Sequence, residues 1–116
     1  NDFCEEIISK NTNYNYNFKP MIRLVKYWNA LNSYPFTSYS LEKHICNCSF
    51  TGLNSVKDFL FRYISYYFDA PYDSAQWVKD RVKRAKDIVN KTREYENNNV
   101  PYYAESEIKK LLPDIN

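Results

Sequence analysis

Lys19, Arg23 and Lys26 recur at the spacing of one helix face, and after a short loop the chain reads Ser38-Tyr39-Ser40-Leu41-Glu42. These residue types suit a multiply charged anion attached to a ring. A triphosphate needs fixed cations and donors more than it needs a base. Lys26 offers a mobile ammonium, a point charge for terminal phosphates. Arg23, one turn earlier, offers a planar fork for two phosphate oxygens. Ser38, near the start of its own helix, can donate a hydroxyl beside backbone N–H groups that point out of the helix terminus. Tyr39 can lay its ring against a nucleobase, a contact worth about 1–3 kcal/mol that tolerates any base.

Positioning these groups requires helices. Successive helical residues turn by about 100°, which sets Lys19, Arg23 and Lys26 on one stripe and Met21, Ile22, Leu24, Val25, Trp28 and Leu31 on the opposite arc. The same stripe seen alone is the ordinary solvated face of an amphipathic helix, and Ser-Tyr is an ordinary cap followed by a core aromatic. Only the combination is distinctive: the basic helix with its Trp, the short loop, then S-Y-x-L-E.

That combination resembles the C-terminal helical lobe of template-independent nucleotidyltransferases of the DNA polymerase β superfamily, of the cGAS-DncV-like and oligoadenylate-synthetase-like kind. The matching residues are Lys19, Pro20, Ile22, Arg23, Lys26 and Trp28, then Ser38, Tyr39, Leu41 and Glu42. The ending Ala104-Glu105-Ser106-Glu107-Ile108-Lys109-Lys110-Leu111-Leu112-Pro113 resembles the last helix of such proteins. The resemblance implies a nucleoside triphosphate ligand, held by Arg23, Lys26 and Ser38 with Tyr39 on the base, and synthesis of a second messenger or oligonucleotide in antiviral defence. It also implies Mg²⁺ held by acidic residues of an N-terminal catalytic lobe. No G-S followed by D-x-D occurs here, because the single glycine, Gly52, precedes Leu53. Residues 1–116 are therefore expected to be one helical domain, the C-terminal part of a longer two-lobe enzyme, with no catalytic residue of its own. The chain's start at Asn1, without Met, agrees with that expectation.

The remaining segments also read as helices. Asp2 to Lys10 is a short one, with Phe3, Ile7 and Ile8 inward, and Asn11 to Asn17 is a polar loop. Helices are expected over Pro20–Asn32, with Pro in the first turn where its missing N–H costs nothing, and over Ser38–Cys48, closed by Thr51-Gly52. Asn54 or Ser55 caps an apolar helix to Phe68. Asp73 or Ser74 caps the longest helix, Ala75–Glu96, whose apolar arc includes Trp77, Val82, Ile88 and Val89. Pro101 opens a last helix to Leu112. Periodicity predicts an all-α fold, a compact bundle of five or six helices with Trp28 and Trp77 buried.

Composition closes off other classes. A chain of 116 residues with 44% hydrophobic residues, twelve of them Tyr and seven Phe, can bury one modest, aromatic-rich core. A net charge of +2 does not by itself argue for nucleic acid. Lys83, Arg84 and Lys86 could touch a nucleic-acid activator, but they mingle with Asp80 and Asp87 as on any solvated helix. Arg81 falls in the apolar arc and must snorkel, pair with a carboxylate such as Glu42, or meet a ligand. No apolar run reaches membrane-spanning length.

Cys4, Cys46 and Cys48 make an odd count with no disulfide framework, which favours a reducing cytoplasm. His44, Cys46 and Cys48 are scattered around a helix axis with no fourth ligand, which favours a structural role over a metal site. A helical nuclease of the toxin class is disfavoured because His44 lacks a suitably spaced upstream Arg. The alternative to the nucleotide lobe is a non-enzymatic helical interaction module. An exposed apolar patch from Phe3, Ile7 and the Tyr14–Phe18 loop is expected where a catalytic lobe would sit.

Overall fold

The computed structural model describes the backbone of residues 2–113 and the side chains of residues 5–113. Among the described residues there are six α-helices and no strand, so the protein is all-α. They are α1 (Asp2–Asn13), α2 (Phe18–Leu31), α3 (Ser38–Cys46), α4 (Val56–Arg62), α5 (Gln76–Asn97) and α6 (Pro101–Ile108). A π-helical turn, Tyr63–Tyr67, continues α4. Every segment expected to be helical is helical, but some limits differ. Helix α1 runs on to Asn13, α3 stops at Cys46, the last part of the expected Ser55–Phe68 helix takes the wider π turn, and α6 stops at Ile108 instead of Leu112. The chain divides after Tyr63 into two units.

The first unit is organised by an aromatic knot. Phe50 and Phe59 stack with ring centroids 5.0 Å apart, and Tyr14 meets Phe59 edge-on at 5.3 Å. Phe18 closes the group, 5.7 Å from Tyr14 and 6.0 Å from Phe50. The Tyr14 hydroxyl accepts a hydrogen bond from the Phe50 N–H at 3.3 Å, so its polar tip is satisfied at the knot's rim. On α2, Met21, Ile22, Val25 and Trp28 are buried along the expected arc. Helix α2 packs on α1, α3 and α4.

In the second unit α5 packs on α6. Val82, Ala85, Ile88 and Val89 of α5 are buried, as are Ala104 of α6 and Leu111 and Leu112 beyond it. Buried Thr92 turns its hydroxyl back to the Ile88 carbonyl at 2.8 Å, and Glu107, also buried, meets Lys110 at 3.0 Å.

Helix ends show how a chain with one glycine stops its helices. Asn15, Ser33 and Asn99 adopt left-handed backbones, with φ of 56°, 65° and 59°. Each sits where helices prefer glycine, and the double hydrogen bond of a Schellman turn follows each time. For α2 it is Ser33 N–H to Ala30 O at 3.2 Å and Tyr34 N–H to Asn29 O at 2.8 Å. For α1 the bonds run from Asn15 to Thr12 and from Tyr16 to Asn11; for α5, from Asn99 to Glu96 and from Val100 to Tyr95.

Four expectations need correction. Trp28 is 3% exposed, as expected, but Trp77 is 45% exposed. It lies in the first turn of α5, and the Arg81 guanidinium carbon stands 6.0 Å from its ring centroid. Leu31, in the last turn of α2, is also exposed. The expected apolar patch does not form from Ile7 and the 14–18 loop. Because α1 continues to Asn13, Tyr14 and Phe18 turn into the aromatic knot, and Ile7 is buried; Ile8 and Tyr16 are the exposed residues there. The side chains of Phe3 and Cys4 lie outside the described residues. Finally, α5 begins after Ala75 without a side-chain cap, so neither Asp73 nor Ser74 serves, whereas Ser55 does cap α4 through the Asp58 N–H at 3.1 Å.

Candidate functional site

Three of the basic residues on α2 converge as their spacing requires. Lys19, Arg23 and Lys26, with Ile22, form one wall of a depression of about 300 Å³. Ile7 and Ile8 of α1 and Glu42 of α3 complete its lining. The lining thus brings together three isoleucines, three cations and one carboxylate.

The Lys26 ammonium forms an ion pair with the Glu42 carboxylate. The pair ties α2 to α3, and its members are unequally covered, Lys26 being 37% exposed at its side chain and Glu42 19%. Among the described residues no carboxylate pairs with Lys19 or Arg23. The Lys19 backbone N–H donates to the Asn11 side-chain oxygen at 2.9 Å, which fixes the start of α2 against the end of α1.

Ser38 and Tyr39 open α3 but are not among the residues that line the depression. Both are exposed, Tyr39 by 63%. Thr37, not Ser38, caps the helix: its hydroxyl oxygen accepts the Ser40 N–H at 3.1 Å, and the Ser40 hydroxyl donates to the Thr37 carbonyl at 2.9 Å. Ser38 follows as the first helical residue. It stands one turn before Glu42 on the same face of α3, because residues four apart are stacked.

The loop between α2 and α3 is held by Asn29. Its side-chain nitrogen donates to the Phe36 carbonyl at 2.7 Å, and its oxygen accepts the Phe36 N–H at 3.1 Å. Asn29 carries a sequence signal of its own, since an amide within the apolar arc of α2 marks a buried polar group that must find partners. Ile7, Ile8 and Glu42 carry none as neighbours of the stripe, because no single-helix pattern can reveal them.

The His44–Cys46–Cys48 segment serves structure. The His44 Nδ1 lies 2.8 Å from the Tyr63 hydroxyl, and burial holds the imidazole pKa below its ordinary value. The Cys48 thiol donates to the His44 carbonyl at 3.2 Å. Burial, reinforced by the neighbouring Glu6 at Cys46 and by Cys46 at Cys48, pushes both thiols up to about 11, so neither is a ready thiolate. Among the described residues no three His, Cys, Asp or Glu side chains are grouped to hold a metal ion.

In the second unit, Lys83, Arg84 and Lys91 border a depression together with Asp80, Asp87 and Glu107, so its charge is mixed. Lys83 pairs with Asp87 at 2.9 Å. Among the described residues no helix is long and apolar enough to cross a membrane. No protein-family model, no curated protein and no solved structure matches the chain.

Proposed function

We propose that this chain is the nucleotide-binding helical lobe of a template-independent nucleotidyltransferase, with a nucleoside triphosphate as its ligand. What carries the proposal is that Lys19, Arg23 and Lys26 line one depression together with Glu42 of the helix that opens with Ser38 and Tyr39. Arg23 and Lys26 hold phosphate oxygens, Ser38 donates to the terminal phosphate, and Tyr39 stacks on the base. The described residues do not fit a Mg²⁺ site, since they group no three metal-ligating side chains, and no transfer step is assigned to them. The Mg²⁺ ions and their carboxylates belong to the catalytic lobe that the proposal requires, and the reaction is carried out there.

The proposal is tested in two ways. The coding sequence that leads into Asn1 should encode a G-S followed by D-x-D. A preceding segment without them would leave the helical interaction module as the better reading. In the complete protein, loss of activity in the Lys26→Ala/Ser38→Ala double variant supports the site; full activity in that variant would refute it.

A further inference from the structure

The ammonium of Lys26, the cation best suited to a terminal phosphate, already has a partner within the chain. It is paired with Glu42 on the wall of the depression. Glu42 is fixed on α3 and largely covered, whereas Lys26 is a long, flexible side chain left partly open to solvent. The two ends of this pair are therefore unequal: the ammonium has the longer stem and the freer access to solvent. Ser38 lies on the same face of α3 as Glu42, about 6 Å further along the axis by helix geometry. Lys26 thus has a resting partner one helical turn from the hydroxyl that would receive a phosphate. Lys19 and Arg23 pair with no carboxylate among the described residues and remain to attract the incoming anion.

We propose that Glu42 is the resting counter-ion of Lys26, an internal competitor that a polyphosphate must displace before the site closes on it. The inference rests on the reading of this depression as a triphosphate site and adds to it a residue that restrains affinity. A singly charged anion merely exchanges one counter-ion of Lys26 for another. A polyphosphate engages Lys19 and Arg23 as well, and so overcomes the competitor. Glu42 would in this way favour ligands carrying several charges over the monovalent anions of the solution.

The test is a titration of the full 116-residue chain with inorganic tripolyphosphate at low ionic strength, followed by nuclear magnetic resonance, which registers weak binding. Four proteins are compared: the unaltered chain, Glu42→Gln, Lys26→Ala, and the two substitutions together. Glu42→Gln should tighten binding by about threefold to fivefold, the range of a partly exposed ion pair. The gain should vanish in the Lys26→Ala background, because there is then no ammonium to compete for. An equal gain in both backgrounds would make Glu42 merely a nearby negative charge and overturn the proposal. So would binding by the unaltered chain with no effect of Glu42→Gln, a result that leaves the triphosphate reading standing. If none of the four proteins binds tripolyphosphate, the inference falls, while the triphosphate reading is decided by the Lys26→Ala/Ser38→Ala variant of the complete protein. Glu42→Asp, which retracts the carboxylate by one methylene, should give part of the same gain and guards against a folding defect peculiar to the Gln variant.

Discussion

Asn29 grips the backbone of Phe36 at two points, donating to its carbonyl at 2.7 Å and accepting its N–H at 3.1 Å, while itself only 1% exposed. The two bonds close the loop between α2 and α3 and so fix where Ser38, Tyr39 and Glu42 stand relative to the basic stripe. Asn29→Ala removes both bonds and strands two backbone groups. It should lower stability by roughly 2–3 kcal/mol, as read by urea denaturation. Asn29→Asp sets a buried carboxylate oxygen against the Phe36 carbonyl and should cost at least as much as Asn29→Ala.

Lys26→Ala in the complete enzyme should weaken triphosphate binding while leaving the helical signal in circular dichroism unchanged. The lost charge-assisted contacts are worth roughly 1.5–3 kcal/mol, a tenfold to hundredfold loss of affinity or turnover.

Tyr39→Ala should act differently from the lysine variant. Stacking holds the plane of the base and not the phosphates, so competition between two nucleoside triphosphates should become less discriminating. Binding of inorganic tripolyphosphate should hardly change. Equal losses for the base and the phosphates would place Tyr39 elsewhere than on the base.

Stability should fall at both ends of the pH scale, for opposite reasons. His44 has a pKa lowered by burial, so the unfolded chain, with an imidazole near 6.5, binds the extra proton first. Its contribution is complete above that value and is lost as pH falls below it. Tyr63 has a pKa raised by burial and by the neighbouring Cys48, so its contribution is complete below its ordinary value of 10.0 and is lost as pH rises beyond it. Urea midpoints measured across pH should fall on both sides, and His44→Asn should flatten the acid limb.

Phe59→Ala should be among the most damaging single changes. Phe59 is fully buried and touches both Phe50 and Tyr14 through the knot. The expected loss is about 3–5 kcal/mol by thermal or urea unfolding.

The helices were legible because their signals are local. The arc of Met21, Ile22, Val25 and Trp28 buries as its period demands. Trp77 and Leu31 satisfy the same period yet lie exposed, because angular position does not say whether the end of a helix reaches the surface it would pack on. The stripe of Lys19, Arg23 and Lys26 was legible for the same reason as the arc, being written within a single helix. Ile7, Ile8 and Glu42 come from other helices, and only tertiary packing brings them to it. Ser38 and Tyr39 were placed by resemblance to a known motif and not by any pattern that fixes their distance from Lys26. The limit of α1 is not legible because N-T-N-Y-N reads as loop by composition, yet Asn11 and Asn13 lie in the last turn and Asn15 supplies the stop.

With one glycine, spent at the loop before α4 where φ is 87°, this fold ends three helices on side chains that resist the left-handed backbone. Ser33 resists it more than Asn15 or Asn99, whose short amides tolerate that region better. The molecule therefore holds an unused stability reserve at a position that does not line the basic depression. Glycine at residue 33 would remove the Cβ conflict and leave both turn hydrogen bonds in place, a gain of about 0.5–1 kcal/mol after the added freedom of the unfolded chain is set against it. An engineer wishing to toughen the protein would begin at the end of α2.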